Sequence, residues 1–325
     1  MRHLLLHSAT FARIEPALKP FADSVSPLVM DDHGEIQHPW GKTDAAALIA
    51  YATPDAFFSR SVLQFIETLM SYDRLEWVQS SAAGLEHPIL QSIGKKAERY
   101  TASHEQCEAI AEWVLWAGLD FFQRGPERRQ AQAATDWRRL PFREISDTHW
   151  LVYGFGAIGQ ATARRLRLLG AEVTGVRRTP GDHEHADRMI APDAVLEKIG
   201  SCDAALLCAP HTPETESLAN AAFFKAMKPG SLLVNVGRGG LVDEPALLEA
   251  LETDQPAYAA LDVLREEPQP ADGPFWHHPK VTLTAHISAS TPQSMYRTDK
   301  VFLKNLPRFL AGEPLANLIP AEAFE

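Results

Sequence analysis

Short apolar runs separated by helical stretches recur along the chain. Leu4–Leu6 reads as a strand, and Ala45–Ala52 is a compact apolar run ending at Thr53-Pro54, where a proline stops a strand ladder. Leu75–Gln79 is a further strand candidate, followed by the small residues Ser80-Ser81-Ala82-Ala83-Gly84, which permit a tight turn. From Ser103 to Gln123 the period becomes helical: Ile110, Val114, Ala117 and Phe121 share a face, with Ser103 placed to cap it. Trp113 and Trp116 widen that stripe beyond one face, which fits a core helix or one buried between two copies of the chain. Gly125–Arg143, rich in Arg, Gln and Pro, reads as a polar surface connector.

Strand-like runs then follow at Trp150–Tyr153, Glu172–Val176, Ala204–Cys208, Leu232–Val236, Ala257–Leu261 and Val281–Ala285, alternating with helical segments. Strands joined by helical crossovers predict a parallel sheet with helices on both faces, an α/β fold. After His286 the pattern is helical again, with Met295, Phe302, Leu306 and Phe309 on one face up to Gly312.

Composition narrows the function classes. The 325 residues carry a formal net charge of −11, unsuited to electrostatic binding of nucleic acid or an anionic membrane. The length suggests two domains, at roughly 100–200 residues each. The cysteines Cys107, Cys202 and Cys208 lack CxxC spacing and fit a reducing compartment. The apolar run at Leu4–Leu6 is too short for a signal peptide, and no stretch approaches the roughly 18 residues of a membrane span. A cytoplasmic location is therefore expected.

Gly154-Phe155-Gly156-Ala157-Ile158-Gly159 fits G-x-G-x-x-G, preceded by a strand and followed by the helix-forming run Gln160–Leu169. In that context the first glycine makes the turn, the second lets the backbone approach a pyrophosphate, and the third allows close helix–strand packing. The alternatives are a ligand-free glycine turn or another nucleotide such as S-adenosylmethionine. An NAD site places an acid about 20 residues after the glycines. Here Val173–Val176 ends in Arg177-Arg178, which offers two guanidiniums to a 2′-phosphate. NADP(H) is thus favoured over NAD(H), unless both arginines are simply solvated.

Further residues stand at or beyond successive strand ends, the edge where open α/β sheets bind ligands. Arg238 lies within Asn235-Val236-Gly237-Arg238-Gly239-Gly240, Asp262 ends the next strand, Glu267 follows five residues on, and His286 ends the last. Singly, each has a dull reading as surface charge or structural histidine. Together they supply an anion clamp, a carboxylate and an ionisable imidazole on one edge. Asp182-His183-Glu184-His185-Ala186-Asp187 lies in a polar stretch and reads as a solvated loop, so no metal is expected.

With these residues assembled, the sequence resembles the D-isomer-specific 2-hydroxyacid dehydrogenases. Trp77–His87 looks like the family's substrate loop, Gly154–Gly159 its nucleotide fingerprint, and Cys208–Thr215 its cofactor-flanking loop. Asn235–Glu244, Leu261–Pro268 and Ala285–Ser288 look like its arginine, glutamate and histidine segments. The resemblance implies a Rossmann-type doubly wound domain at 101–287, inserted into a smaller flavodoxin-like α/β substrate domain at 1–100 and 288–325. Substrate would sit in the cleft between them, closed by a hinge. It further implies that Arg238 binds the carboxylate and polarises the carbonyl of a 2-oxo acid, helped by backbone N–H groups near Ala83 and Gly84. His286 would exchange the proton, paired with Glu267, and Asp262 would contact the nicotinamide end. Pro210, Thr215 and Val236 would line the cofactor.

Two departures stand out. Arg177 replaces the family's usual acid, and Ala82-Ala83-Gly84-Leu85-Glu86 stands where Gly-Ala-Gly-Val-Asp is common. The glyoxylate/hydroxypyruvate reductases are the subgroup most resembled, and no regulatory extension past Glu325 is expected. The expected partners are thus a small 2-oxo or 2-hydroxy acid and, as a homodimer, a second copy. Tyr51, Trp276 and Ser288 are candidate pocket residues. The rival readings are a dinucleotide-sensing corepressor-like protein and a related dehydrogenase acting on another substrate, such as formate or phosphite.

Overall fold

The computed structural model describes residues 1–81, 84–85 and 87–324, so Ala83 lies outside the described residues. The chain divides into two compact units, Met1–Glu105 with Thr291–Glu325, and Gln106–Ser290.

The first unit opens with β1 (Arg2–His7), α1 (Ser8–Leu18), β2 (Val25–Met30), β3 (Ile36–Gln37) and β4 (Ala47–Ala52). It continues with α2 (Pro54–Phe57), α3 (Val62–Ser71), β5 (Arg74–Ser80), α4 (Pro88–Lys96) and β6 (Tyr100–Ala102). The second unit runs through α5 (Cys107–Phe122), α6 (Gly125–Ala133), β7 (His149–Tyr153), α7 (Ala157–Leu168), β8 (Glu172–Val176) and β9 (Arg188–Ile190). It is completed by α8 (Val195–Lys198), β10 (Ala204–Leu207), α9 (Ala221–Ala226), β11 (Leu232–Asn235), α10 (Glu244–Glu252), β12 (Tyr258–Leu261) and β13 (Val281–Leu283). The chain then returns to the first unit as α11 (Pro292–Leu310) and β14 (Leu318–Ile319).

Each unit holds a seven-stranded sheet, ordered β14-β6-β5-β4-β1-β2-β3 and β13-β12-β11-β10-β7-β8-β9. The second is parallel throughout, while the first has antiparallel edge pairs at β14–β6 and β2–β3. Both faces of a parallel sheet are covered, so its strands read as continuous apolar runs whose alternate residues enter different cores. Leu4 and Leu6 pack with Ile49, Tyr51 and Trp77, whereas Leu5 packs with Leu48 and Ala50 on the opposite face. In the second unit, Leu151, Leu207 and Leu233 enter one core and Val152, Leu206 and Val234 the other.

Three expectations need correction. The helix predicted from Ser103 starts at Cys107, with Gln106 as its N-cap. Ser103 instead accepts the Glu105 N–H at 3.3 Å and pairs with the Thr298 hydroxyl at 3.2 Å, tying the end of β6 to α11. The polar connector at Gly125–Arg143 contains α6, begun with Pro126 in its first turn, where a missing N–H costs nothing. The second sheet has a seventh strand, β9, too short and too polar at Arg188 to read as one. Among the described residues, no helix is long and apolar enough to cross a membrane.

In the second sheet, β7 leads through α7 to β8 on one side, while β10 pairs with β7 on the other. The order therefore reverses between β7 and β10, and the crevice outside those strand ends is where such sheets take ligands.

Candidate active site

The glycine fingerprint occupies that reversal. Gly154 has φ +102°, a backbone conformation that L side chains avoid, and an added Cβ would stand 2.5 Å from the Ala209 nitrogen on the neighbouring strand end. A Cβ on Gly159 would meet the Gly154 carbonyl oxygen at 2.3 Å, whereas one on Gly156 would meet nothing within 4 Å. The first and third glycines thus permit close packing, and the second leaves open space against the start of α7. No side chain caps α7 at Gly156, so the N–H groups of Ala157, Ile158 and Gly159 remain available to an anion. The cradle fits a dinucleotide pyrophosphate. The Cys208 thiol, with its pKa pushed up to about 12 by burial, donates to the Gly154 carbonyl at 3.0 Å and pins the turn across the strand gap.

Arg177 and Arg178 leave β8 exposed, and the Arg177 Nε donates to the Thr179 carbonyl at 2.7 Å. On the far side of the crevice, the Thr215 hydroxyl donates to the Pro210 carbonyl at 2.8 Å and receives the Thr212 N–H at 2.8 Å, shaping the loop after β10. Val236 is buried and its N–H donates to the Leu207 carbonyl at 3.1 Å, extending the β10–β11 ladder by one residue.

Arg238 follows directly. Its placement depends on Asn235, a fully buried residue whose amide donates to the Arg238 carbonyl at 3.0 Å and accepts the Gly237 N–H at 3.1 Å. Sequence reading gave Asn235 no role. An amide at a strand end two residues before a glycine is the available signal, since such side chains close turns on their own backbone.

At the next two strand ends, His286 Nδ1 lies 2.8 Å from Glu267 Oε2. Glu267 Oε1 accepts the Leu264 N–H at 2.9 Å, so both carboxylate oxygens are engaged. The hydrogen bond from Glu267, and then its charge, raise the His286 pKa above the ordinary histidine value against burial and the Arg238 charge. Burial alone would raise the Glu267 pKa. It is outweighed by the bonds from His286 and Leu264 and by the charges of His286 and Arg238, so the carboxyl sits below its usual range. Arg238, Glu267 and His286 therefore lie within electrostatic reach of one another. Asp262 is 1 % exposed, and its carboxylate accepts the Thr284 hydroxyl at 2.5 Å and the N–H groups of Ile287 and Ser288 at 2.9 and 3.0 Å. In this structure its side chain holds the turn that carries His286.

Residues 115–288 match the family model for the D-isomer specific 2-hydroxyacid dehydrogenase NAD binding domain, more than half of the chain. The chain belongs to the D-isomer-specific 2-hydroxyacid dehydrogenase family. The chain is 32% identical over 216 residues to glyoxylate/hydroxypyruvate reductase A of Serratia proteamaculans, an alignment spanning 66% of this chain and 64% of that relative. A D-isomer specific 2-hydroxyacid dehydrogenase family protein from Aeromonas salmonicida superposes with a TM-score of 0.79 at 28% identity, covering 98% of this chain and 99% of that one. An NADPH-dependent glyoxylate/hydroxypyruvate reductase from Sinorhizobium meliloti, solved with NADP and sulfate, gives a TM-score of 0.79 at 22% identity over 100% of this chain and 99% of that one. That last likeness is one of fold: a doubly wound nucleotide-binding domain with a second α/β domain.

Against this family frame, the candidate pocket residues fare unevenly. Tyr51 is fully buried, stacked on Phe302 at 4.2 Å with its hydroxyl donating to Asp299 at 2.7 Å, so it serves the core of its unit rather than a pocket wall. Trp276 is 45% exposed and donates to the Pro270 carbonyl at 2.7 Å. Ser288 belongs to the Asp262 clamp. In the 182–187 stretch, His183 packs edge-on against Phe155 at 5.0 Å, and the Asp187 carboxylate accepts the Val173 N–H at 2.9 Å. Among the described residues, no group of three or more His, Cys, Asp or Glu could hold a metal ion.

Proposed function

We propose that the protein is an NADPH-dependent reductase of small 2-oxo acids of the glyoxylate or hydroxypyruvate kind, yielding the D-2-hydroxy acid. The observation that carries this reading is the 2.8 Å His286–Glu267 pair with Arg238 in charge reach, on the same sheet edge as the glycine cradle. Gly154–Gly159 would hold a reduced nicotinamide dinucleotide, with Arg177 and Arg178 available to a 2′-phosphate, and that group would supply the hydride. Arg238 binds the substrate carboxylate and draws charge toward the carbonyl oxygen. As hydride reaches the carbonyl carbon, negative charge gathers on that oxygen, and the His286 imidazolium gives it a proton. Glu267 keeps the imidazole charged beforehand and orients it. Asp262 acts at the nicotinamide end by holding the His286 turn. The Arg177-Arg178 pair at the strand end where the family usually carries an acid, and the name of the Serratia relative, support the cofactor and substrate class respectively.

The experiment is loss of reduced-nicotinamide absorbance with glyoxylate or hydroxypyruvate, NADPH and NADH run in parallel. Faster consumption of NADPH is expected. Faster NADH loss keeps the reductase and overturns the arginine argument. Failure to consume either cofactor with a panel of 2-oxo acids, alongside intact dinucleotide binding, favours the corepressor-like reading.

A homodimer forms part of this proposal. Trp113 and Trp116 on α5 stack edge-to-face at 5.6 Å, with Trp116 45% exposed, an aromatic patch suited to a second copy. Sedimentation of Trp116→Glu as a monomer, against a dimeric parent, is the expected result. The spacing of Cys107, Cys202 and Cys208, which forms no CxxC pair, accords with a reducing, cytoplasmic setting.

A further inference from the structure

We infer that Arg265 is a positioning residue for the acid–base pair, its guanidinium locking together the loops that carry Arg238 and Glu267. The inference rests on the catalytic reading above. It starts from an unusual concentration of acceptors. The Arg265 Nε donates to the Val242 carbonyl at 2.8 Å, and its Nη2 reaches Glu216 Oε1 at 2.7 Å, Ser217 Oγ at 2.6 Å and the Gly240 carbonyl at 3.0 Å. Its own backbone N–H donates to Glu244 Oε1 at 2.7 Å. The side chain thus joins the segment just after Arg238 to the loop after β10, and the backbone N–H of the same residue ties in the start of α10.

The partners are themselves fixed. The other oxygen of Glu216 is paired with His211 Nε2, and bonds from His211 and Arg265 hold the Glu216 carboxyl down at about 2. Packing leaves the Arg238 segment little freedom: a Cβ on Gly239 would stand 1.9 Å from the Leu264 carbonyl carbon, and one on Gly240 would stand 2.4 Å from the His211 ring. Leu264, the residue before Arg265, presents the N–H that holds Glu267 Oε1, while Oε2 holds His286. A displacement of Arg265 therefore passes through one peptide unit to Glu267 and from there to His286.

Lysine cannot do this work. Its single ammonium lacks the planar fork that serves several fixed acceptors at once. That difference separates position from charge. The charged groups around His286 are Glu267, Arg238 and Asp262. Losing a nearby cation would raise the His286 pKa, and exchanging Arg for Lys would leave it alone. Losing the grip on Glu267 would lower it in both cases.

The test is an NMR titration of the His286 imidazole in the cofactor-free full-length protein, for the parent, Arg265→Lys and Arg265→Ala. The resonance is assigned by its absence in His286→Asn. A fall of about half a pH unit toward the ordinary value near 6.5 is expected in both Arg265 variants. An unchanged titration in Arg265→Lys, or a rise in Arg265→Ala, overturns the inference. In turnover, Arg265→Lys should lose about tenfold in kcat, less than the roughly 10²–10⁴-fold that a general acid contributes in full, with the NADPH dissociation constant within about twofold. A parallel loss of NADPH affinity would mean a purely structural role and overturns it too. Should the parent reduce no 2-oxo acid, the functional reading fails while the titration still decides the role of Arg265.

Discussion

The backbone N–H of His286 donates to the Asp262 carbonyl at 2.8 Å, while the Asp262 carboxylate receives the N–H groups of the two residues that follow His286. His286 sits at φ +53°, in the left-handed region, which costs a non-glycine residue roughly 1–2 kcal/mol. Charge-assisted bonds to Ile287 and Ser288 offset that cost and leave the imidazole pointing along a fixed line toward Glu267. The strand end thus provides both the turn and its restraint.

Asp262→Asn tests this restraint with little change in shape. An amide presents one oxygen and one NH2 group where two backbone N–H groups and a hydroxyl need acceptors, so at least one backbone N–H loses its partner. We expect a loss of about 1–3 kcal/mol in stability from the unsatisfied buried donor. We also expect kcat to fall at least tenfold, with NADPH binding changed far less. Chemical denaturation and stopped-flow turnover measure the two effects. Parent-like kcat in a destabilised variant would confine Asp262 to a structural role.

The pH dependence follows from the paired shifts. His286 is raised above its ordinary value by Glu267, so its protonated range extends to higher pH than an ordinary histidine's and reduction declines as pH rises through its folded pKa. Oxidation of the hydroxy acid needs the neutral imidazole and should rise over the same range. For stability, the His286 contribution is fully present below its unfolded pKa and is lost as pH climbs through the folded one. Glu267 is lowered, so its contribution holds above its unfolded pKa and is lost as pH falls through the folded one. The pair therefore stabilises most between the two. In Glu267→Gln the alkaline limb of the reduction profile should move to lower pH, and a stationary limb would remove Glu267 from its assigned role.

How much of this was readable in advance differs by interaction type. The strand ends were legible because parallel strands are apolar runs bounded by polar turns, and Gly154, Arg177, Arg238, Asp262 and His286 lie within three residues of such a boundary. His286, Glu267 and Arg238 stood out as charge at those boundaries. Cys208 and Arg265 did not, because their side chains act on backbone groups of distant loops, whereas Asn235, whose bonds close its own turn, was overlooked despite a local signal. The Cys208–Gly154 and Arg265–Gly240 bonds span 54 and 25 residues, and nothing in local spacing announces them. Tyr51, a candidate pocket residue, misled for a related reason: Asp299 from α11, 248 residues on, meets its hydroxyl within the core.

Cofactor choice is expected to turn on the end of β8. Arg177→Ala with Arg178→Ala removes both exposed guanidiniums without disturbing the glycine turn, whose Gly154 and Phe155 N–H groups bond the Val176 carbonyl at 3.1 and 3.2 Å. Loss of charge-assisted contacts to a 2′-phosphate should raise the NADPH KM by about tenfold or more. The NADH KM should change little, since NADH carries no phosphate there. Equal changes with both cofactors would mean the arginines shape the loop instead of reading the phosphate.

Arg238→Ala gives the most direct reading of the substrate side. The guanidinium is the positive group beside the His286–Glu267 pair, and Asn235 fixes its backbone from within the core, so truncation at Cβ leaves the turn itself intact. Removing a group that stabilises charge on the carbonyl oxygen is expected to cost about 10²–10³ in kcat, with a higher KM for the 2-oxo acid. NADPH affinity, followed by fluorescence, should stay near the parent value. The His286 pKa should rise further, because the Arg238 charge opposes protonation in the parent. Turnover near the parent level would exclude the assigned role, and a fallen His286 pKa would show that Arg238 acts on the pair through position and not through charge.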